Sequence, residues 1–385
     1  MARRDVKLSF IIPNLILSER LRYQIAISLV KGIGPKLARN LVAYVGNEQD
    51  VFAQSTRALA KIPGIGAGLA STIKSADVLA RADRELDFIS KHDISTLYFT
   101  DNNYPTRLSF CDDAPILLYT KGTHDLNQRK VIGIVGTRKA SEDARLNCER
   151  LVEGLAQRHP DTLVVSGLAY GVDVCAHRAA LKQGLPTLGV LAHGLDRIYP
   201  PLHRNIAKEM LVNGGLITEF MSVTQPDRPN FVRRNRIVAG LVDALVMVES
   251  PIKGGAIITA RIAQSYSRDV LAFPGKANEE LAKGGNYLIK KNIAALIEDV
   301  EDLEYALGWE GTTGVVTQQR TLFPSFKNED EEKLYMILRE HKELTANELC
   351  VKSGLPVSKV SASMLALEFA GLVKCLPGNA FKFIP

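Results

Sequence analysis

The stretch Val131-Ile132-Gly133-Ile134-Val135-Gly136-Thr137-Arg138-Lys139 decides how the chain is read. Its first five residues are apolar or small with no polar alternation, the mark of a strand buried on both faces of a parallel sheet. A glycine turn follows and runs into a helix beginning near Ser141. Outward from this stretch the same kind of run recurs: TLVVSG (162–167), TLGVLA (187–192), GGLITE (214–219), DALVMVE (243–249), DVLAFPG (269–275) and AALIE (294–298). Helical segments such as 144–158, 174–184 and 254–268 lie between several of them. Strands alternating with helices predict an α/β fold, an extended Rossmann-like domain with a mostly parallel sheet.

Further out the pattern changes on both sides. LVKGIGPKLARNLV (29–42) and LAKIPGIGAGLASTI (59–73) form a near-repeat, each a helix end, a Gly-Ile-Gly turn and a second amphipathic helix. Pro35 suits a first helical turn. This is a tandem helix-hairpin-helix (SAM-like) pattern, in which convergent N–H groups beside a helix start favour an anion; a plain helical packing domain fits the same residues. Residues 309–330, WEGTTGVVTQQRTLFPSFKNED, are rich in turn formers and read as a linker. The remainder reads helix, helix, helix and a hairpin turning at Pro377-Gly378-Asn379, the order of a winged helix. The expected organisation is therefore a helical domain over 1–90, the Rossmann-like domain over 91–308, a linker over 309–329 and a winged helix over 330–385.

The composition fits that division and excludes several classes. A chain of 385 residues with 46% hydrophobic and 23% charged residues is ordinary globular material, long enough for two or three domains. No apolar run reaches the roughly eighteen residues of a membrane span, and no cleavage site follows the apolar patch near the N-terminus. Five scattered cysteines without CxxC spacing suggest neither a zinc cage nor a disulfide framework, so no metal is expected and a reducing cytoplasm is. Lysine and arginine exceed acids by 48 to 42, a net charge of +6 that points to nucleic acid only if it is clustered.

It is clustered. Gly136-Thr137-Arg138-Lys139 replaces the G-x-G-x-x-G of a dinucleotide fold, and puts an arginine and a lysine at the carboxyl end of a strand, where open α/β sheets bind ligands. A guanidinium there can grip a phosphodiester through two oxygens. Phe231-Val232-Arg233-Arg234-Asn235-Arg236 concentrates three arginines with no acid, and Lys253-Gly254-Gly255 opens a helix as a second phosphate cradle. Asp173 and His177 stand four apart on one helix face, but no third ligand is identifiable and a capping role is the better reading. Asp196, Glu219, Asp243 and Glu249 fall at strand ends or turns, with ion-pair or structural roles expected. No catalytic residue and no cofactor are assigned.

The chain resembles the DNA processing protein A (DprA/Smf) family through several motifs in order. They are Tyr104-Pro105 with Ala114 to Tyr119; Val135-Gly136-Thr137-Arg138; Ser166-Gly167-Leu168-Ala169-Tyr170-Gly171-Val172-Asp173; Gly194-Leu195-Asp196 with Tyr199-Pro200; Arg234-Asn235-Arg236-Ile237; and Phe273-Pro274-Gly275 with Gly284-Gly285-Asn286. The resemblance implies a cytoplasmic, non-catalytic protein that binds and protects single-stranded DNA, dimerises through the Rossmann-like domain and helps load the RecA recombinase in natural transformation. Carried over, the DNA pocket uses Arg138 and the basic position after the Tyr-Pro pair, which is Arg204 or, if the alignment slips, His203. The full expected set is Gly136, Thr137, Arg138, Lys139, Ser166, Gly167, Gly194, Tyr199, Arg204, Arg234, Asn235, Arg236, Lys253, Gly254 and Gly255. The rival reading is a nucleotide-processing Rossmann enzyme of the lysine decarboxylase-like group, weakened because Lys253 to Thr259 lacks the glutamate of P-G-G-x-G-T-x-x-E. A winged-helix repressor is weakened too, since Ser358 to Phe369 carries only Lys359 as a base.

Overall fold

The computed structural model describes residues 19–123, 125–309, 326, 328–370, 372–376 and 380–384. They fall into two compact units, residues 1–310 and 311–385. The greater part of the expected linker, and the turn at 377–379, lie outside the described residues.

The first unit is organised by a nine-stranded sheet. Its strands are β1 (Ser95–Tyr98), β2 (Leu117–Gly122), β3 (Val131–Val135), β4 (Leu163–Ser166), β5 (Thr187–Val190), β6 (Gly214–Thr218), β7 (Ala244–Met247), β8 (Asp269–Ala272) and β9 (Ala295–Leu296), in the order β1-β2-β6-β5-β4-β3-β7-β8-β9. From β6 to β9 every pairing is parallel, and β2 joins β6, and β1 joins β2, antiparallel. All seven apolar runs are strands, and β3, β4, β5, β6 and β7 are buried along their whole length. β1 and β2 were not expected. β1 begins exposed and β2 ends exposed, so neither has the continuous apolar run that marks a strand covered on both faces.

Helices Arg228–Leu241 and Gly255–Ser265 cover one face of the sheet through Ile237, Val238, Leu241, Ile257 and Ala260. Helices Glu142–Arg158 and Val172–Lys182 cover the other through Cys148, Leu151, Leu155, Ala176 and Ala179. Ser141 starts the first of these by accepting the Ala144 N–H at 3.1 Å. Trp309 lies edge-on to His159 with centroids 5.5 Å apart and under the Lys130 ammonium.

The helical part carries both Gly-Ile-Gly turns. Each is followed by a helix, Pro35–Val45 and Ala67–Ser75, with Gly34 and Gly66 as their N-caps. Gly32 and Gly64 share a φ of +83°, a conformation that favours glycine. A Cβ on Gly32 would meet Leu69 Cδ2 at 3.0 Å, and one on Gly64 would meet Leu37 Cδ2 at 2.8 Å. The two copies thus pack reciprocally, turn against helix, so the first glycine of each motif serves a tight contact. Helix Leu79–His92 then fastens this part to the loop after β6: buried Glu85 accepts from Ser222 N at 2.9 Å, and Arg81 donates to Ser222 O at 2.7 Å.

The second unit is a winged helix. Helices Glu329–His341, Ala346–Ser353 and Val357–Phe369 surround a core of Leu334, Leu338, Leu349, Val360 and Met364. A three-stranded sheet of β10 (Glu343–Thr345), β11 (Val373–Leu376) and β12 (Ala380–Phe383) completes it, β10 being the unexpected strand. Thr345 and Glu348 close a reciprocal capping box on the second helix. Lys359, the base of the third helix, is paired with Asp330 at 2.9 Å.

Candidate nucleic-acid interface

The basic cluster is built where three elements meet. β3 and β4 end in the loops 136–141 and 167–171, and the N-terminal half of helix Arg228–Leu241 lies beside them. Two hydrogen bonds hold the first loop: Thr137 N donates to Glu249 O at 2.7 Å and Val172 N donates to Thr137 O at 3.2 Å. Glu249, at the end of β7, accepts from Ser141 N at 3.0 Å and Ser141 Oγ at 2.7 Å, which fixes the start of the helix behind the loop.

Arg138, exposed on this loop, stacks its guanidinium over Phe231 at 4.9 Å from the ring centroid. Phe231 in turn meets Tyr199 edge-on at 6.0 Å. Arg234, one turn along the same helix, is only 5% exposed. Its guanidinium lies against Gly167 so closely that a Cβ there would overlap it, which is why this turn carries glycine. Arg234 makes no hydrogen bond to any described residue, and its Nε is buried without an acceptor. The opposing charge nearby is Asp173. Burial pushes the Asp173 carboxyl up, opposed chiefly by Arg234 and by the Ala169 N–H. Burial likewise works against the Arg234 charge, which Asp173 supports and Arg138 weakens. Two guanidinium groups thus converge with no hydrogen-bonded acceptor between them, an arrangement that suits an anion with several oxygens.

The rim is aromatic. Tyr199 is 40% exposed and Tyr170 44% exposed, and Tyr170 lies edge-on to His203 at 5.2 Å. His193 fixes the Tyr199 backbone, accepting Tyr199 N at 3.2 Å on Nε2 while Nδ1 donates to Gly194 O at 2.8 Å. Burial holds this histidine below its ordinary pKa.

Of the expected residues, Gly136, Thr137, Arg138, Gly167, Tyr199 and Arg234 belong to this one cluster, with Gly194 beneath Tyr199. Lys139 is exposed on the same loop. Ser166 is fully buried, its hydroxyl donating to Ile134 O at 2.6 Å, so it is wall rather than contact. Between the two candidates after the Tyr-Pro pair, His203 is buried and donates to Leu168 O at 2.9 Å, whereas Arg204 is exposed at the start of helix Arg204–Met210. Arg236 does not join Arg234. Residues two apart on a helix point about 200° apart, and Arg236 is buried in an ion pair with Glu219 at 2.6 Å, shared with Arg233 at 2.7 Å. Asn235 is half-buried between them. Lys253, Gly254 and Gly255 stand beyond β7, where Gly254 caps helix Gly255–Ser265 and Lys253 is exposed. Phe231, Tyr170 and Asp173 were not assigned to the site from sequence; the aromatic directly preceding a basic block was the available signal for the first.

The carboxylates at strand ends are each engaged elsewhere. Asp243 holds Arg107 at 2.6 Å and Val131 N at 2.9 Å; Asp196 holds Arg197 at 2.8 Å and Val223 N at 3.0 Å. His177 makes no hydrogen bond with Asp173, and its Nδ1 pairs instead with the Thr187 hydroxyl at 2.7 Å. Among the described residues no group of three His, Cys, Asp or Glu side chains is placed to hold a metal ion, and no helix is long and apolar enough to cross a membrane.

Comparison with known proteins matches residues 95–308 to the family of the DNA recombination-mediator protein A, 26–84 to a SAM-like helix-hairpin-helix tandem and 325–379 to the DprA winged helix domain. The chain is 28% identical to Protein Smf of Synechocystis sp., covering 94% of this chain and 98% of that one. It is 30% identical to a putative DNA processing protein DprA of Mycobacterium tuberculosis, covering 91% and 88%. The structure of DprA from Streptococcus pneumoniae superposes with a TM-score of 0.64 at 28% identity over 74% of this chain and 97% of that one. A DNA processing protein A from Helicobacter pylori, described with a single-stranded DNA binding mode, superposes with a TM-score of 0.51 at 29% identity over 56% and 96%. With its central domain matched throughout and its flanking domains of the same kinds, the chain belongs to the DNA recombination-mediator protein A (DprA/Smf) family.

Proposed function

We propose that this protein binds single-stranded DNA without cleaving it, protects the strand and helps load the RecA recombinase, acting in the cytoplasm as a dimer formed through the Rossmann-like domain. The observation that carries the DNA reading is Arg234, a buried guanidinium with no hydrogen-bonded acceptor, beside the exposed Arg138 stacked on Phe231. A phosphodiester between the two supplies the missing acceptor. Tyr199 and Tyr170 then offer ring faces to neighbouring bases, and such platforms serve unpaired bases, because duplex bases are already stacked. Arg204 and Lys139 extend the positive rim. The Helicobacter pylori relative's single-strand binding supports the same ligand class. Binding without hydrolysis is favoured because Asp196, Glu219, Asp243 and Glu249 are each committed to a separate backbone, hydroxyl or guanidinium partner. The recombinase role rests on the family to which the chain belongs.

Titration with a labelled oligonucleotide, single-stranded against duplex at two salt concentrations, tests this. The expected result is tighter single-strand binding that weakens with salt by roughly 0.7 log units per log salt for each phosphate held. Equal affinity for both forms would overturn the reading.

A further inference from the structure

Where the first Gly-Ile-Gly turn meets the Rossmann-like part, a cavity of about 290 Å³ opens between the start of helix Pro35–Val45, the stretch before β2 and the N-terminal half of helix Arg228–Leu241. Ile33, Pro35, Pro115, Ile116 and Phe220 give it apolar walls, and Glu219, Asn230 and Arg233 supply polar groups. Apolar walls with a few polar groups are the usual make-up of a small-ligand site, and this one is at the small end of the range.

Glu219 is the group that the fold leaves incomplete. Its side chain is 3% exposed, and its Oε2 accepts from Arg233 at 2.7 Å and from Arg236 at 2.6 Å. Its Oε1 is buried and accepts from no described residue. A buried carboxylate oxygen without a donor is costly, and an arriving N–H group removes that cost. Arg233 is the exposed partner, its guanidinium resting over Phe220 at 5.3 Å from the ring centroid. Only its Nη2 makes a hydrogen bond to a described residue, so further N–H groups remain for a ligand.

An acceptor and a donor thus stand together in an apolar cavity, and the bases of DNA differ in what they bring to such a pair. Guanine alone carries one carbonyl acceptor, O6, followed by two donors side by side, N1–H and the 2-amino group. It can give O6 to Arg233 and its donors to Glu219 Oε1. Thymine flanks its single N–H with two carbonyl oxygens, which a carboxylate repels. The cavity also adjoins the basic cluster: Asn230 and Arg233 line it, while their chain neighbours Phe231 and Arg234 face Arg138 and Gly167. Adjacent helix residues point about 100° apart, so one half-helix serves both places.

We propose that this cavity takes one guanine base of the single strand held at Arg138 and Arg234, read by Glu219 and Arg233. The inference rests on the single-strand reading above and adds a base preference to it.

The test titrates the full chain, by anisotropy, with a short oligothymidylate and with copies carrying one deoxyguanosine at each position in turn. At one register deoxyguanosine should bind roughly tenfold more tightly than thymidine, and deoxyinosine there, lacking the 2-amino group, should lose most of that gain. The guanine-to-thymine ratio, taken within each variant, should fall toward one in Glu219→Gln and in Thr224→Trp, which fills the cavity from its half-buried rim. A ratio of one at every position of the wild type, with the oligothymidylate still bound in preference to duplex, overturns this inference and leaves the single-strand reading standing. A preference that survives both variants overturns it too, as does guanosine monophosphate binding the strand-free protein as tightly as the deoxyguanosine oligonucleotide does. If the oligothymidylate binds no better than duplex, the single-strand reading fails and the guanine site falls with it.

Discussion

Gly167→Ala reports directly on the Arg234 site. A Cβ at this position would lie inside the Arg234 guanidinium, so the side chain must leave its place or the loop after β4 must shift. Neither is cheap: Arg234 is buried, and the neighbouring carboxylate Asp173 is buried too. Overpacking of this kind costs about 1 to 3 kcal/mol of stability. The displaced guanidinium would also lose the phosphate contact proposed for it, and a charged hydrogen bond is worth about 1.5 to 3 kcal/mol, or roughly 10- to 150-fold in affinity at 1.4 kcal/mol per decade. The two losses can be separated with the double variant Gly167→Ala/Arg234→Ala, which removes the clash. It should recover the urea stability of Arg234→Ala alone while binding single strands no better than that variant. The cycle is then strongly non-additive in both stability and affinity, as expected of residues in contact. The measurements are urea melts by circular dichroism and oligonucleotide titration by anisotropy at two salt concentrations. A folded Gly167→Ala protein with wild-type affinity and salt slope would refute the reasoning, because the guanidinium cannot remain where the structure has it.

Arg138→Ala should weaken single-strand binding of every sequence about equally, by about 1.5 to 3 kcal/mol, and lower the salt slope by roughly 0.7, read from the same titrations; an unchanged slope counts against a phosphate contact. Ser141→Ala removes the N-cap of helix Glu142–Arg158 and the hydroxyl's hydrogen bond to Glu249, leaving the backbone one, and should cost about 0.5 to 2 kcal/mol in a urea melt. His177, fully buried, has its pKa lowered from 6.5 to about 3, chiefly by burial. Below pH 6.5 the unfolded chain therefore binds a proton that the folded chain does not, and stability should fall with pH through this window by on the order of 1.4 kcal/mol per unit. His177→Gln should lack that component of the slope between about pH 6 and 4, and identical slopes in the two proteins would remove this histidine from the account.

Much of the fold was legible because β3 to β7 are covered on both faces, so their residues must be apolar without interruption, and the sequence shows this directly. β1 and β2 lack that constraint. The tandem helical motif was legible as a repeat, but its sequence left open what its glycines serve; the reciprocal contacts of Gly32 with Leu69 and Gly64 with Leu37 give packing as the role of the first glycine in each turn. At the site, the block Arg233 to Arg236 looked uniform, and only helix phase separates Arg234, aimed at Gly167, from Arg236, aimed at Glu219. No spacing rule brings Asp173, Phe231 and Tyr199 to one place, since that depends on how helix Arg228–Leu241 lies across the ends of β3 to β5.

Arg234 stands out among the buried arginines of the described residues because no hydrogen bond to any of them engages its guanidinium. A buried arginine without a hydrogen-bonded acceptor, next to a buried carboxylate whose pKa is pushed up, costs stability on any account of the unliganded fold. Other buried or half-buried guanidinium groups of the chain have at least one carboxylate, Arg107 with Asp243, Arg236 with Glu219 and Arg81 with Glu85, although Nη1 of Arg236 is itself without an acceptor. Each of these has an ion-pair partner, and Arg234 has none among the described residues. Local inconsistency of that kind concentrates at positions where a ligand completes the interactions, and an anion reaching both would satisfy Arg234 and Arg138 together under the reading proposed above.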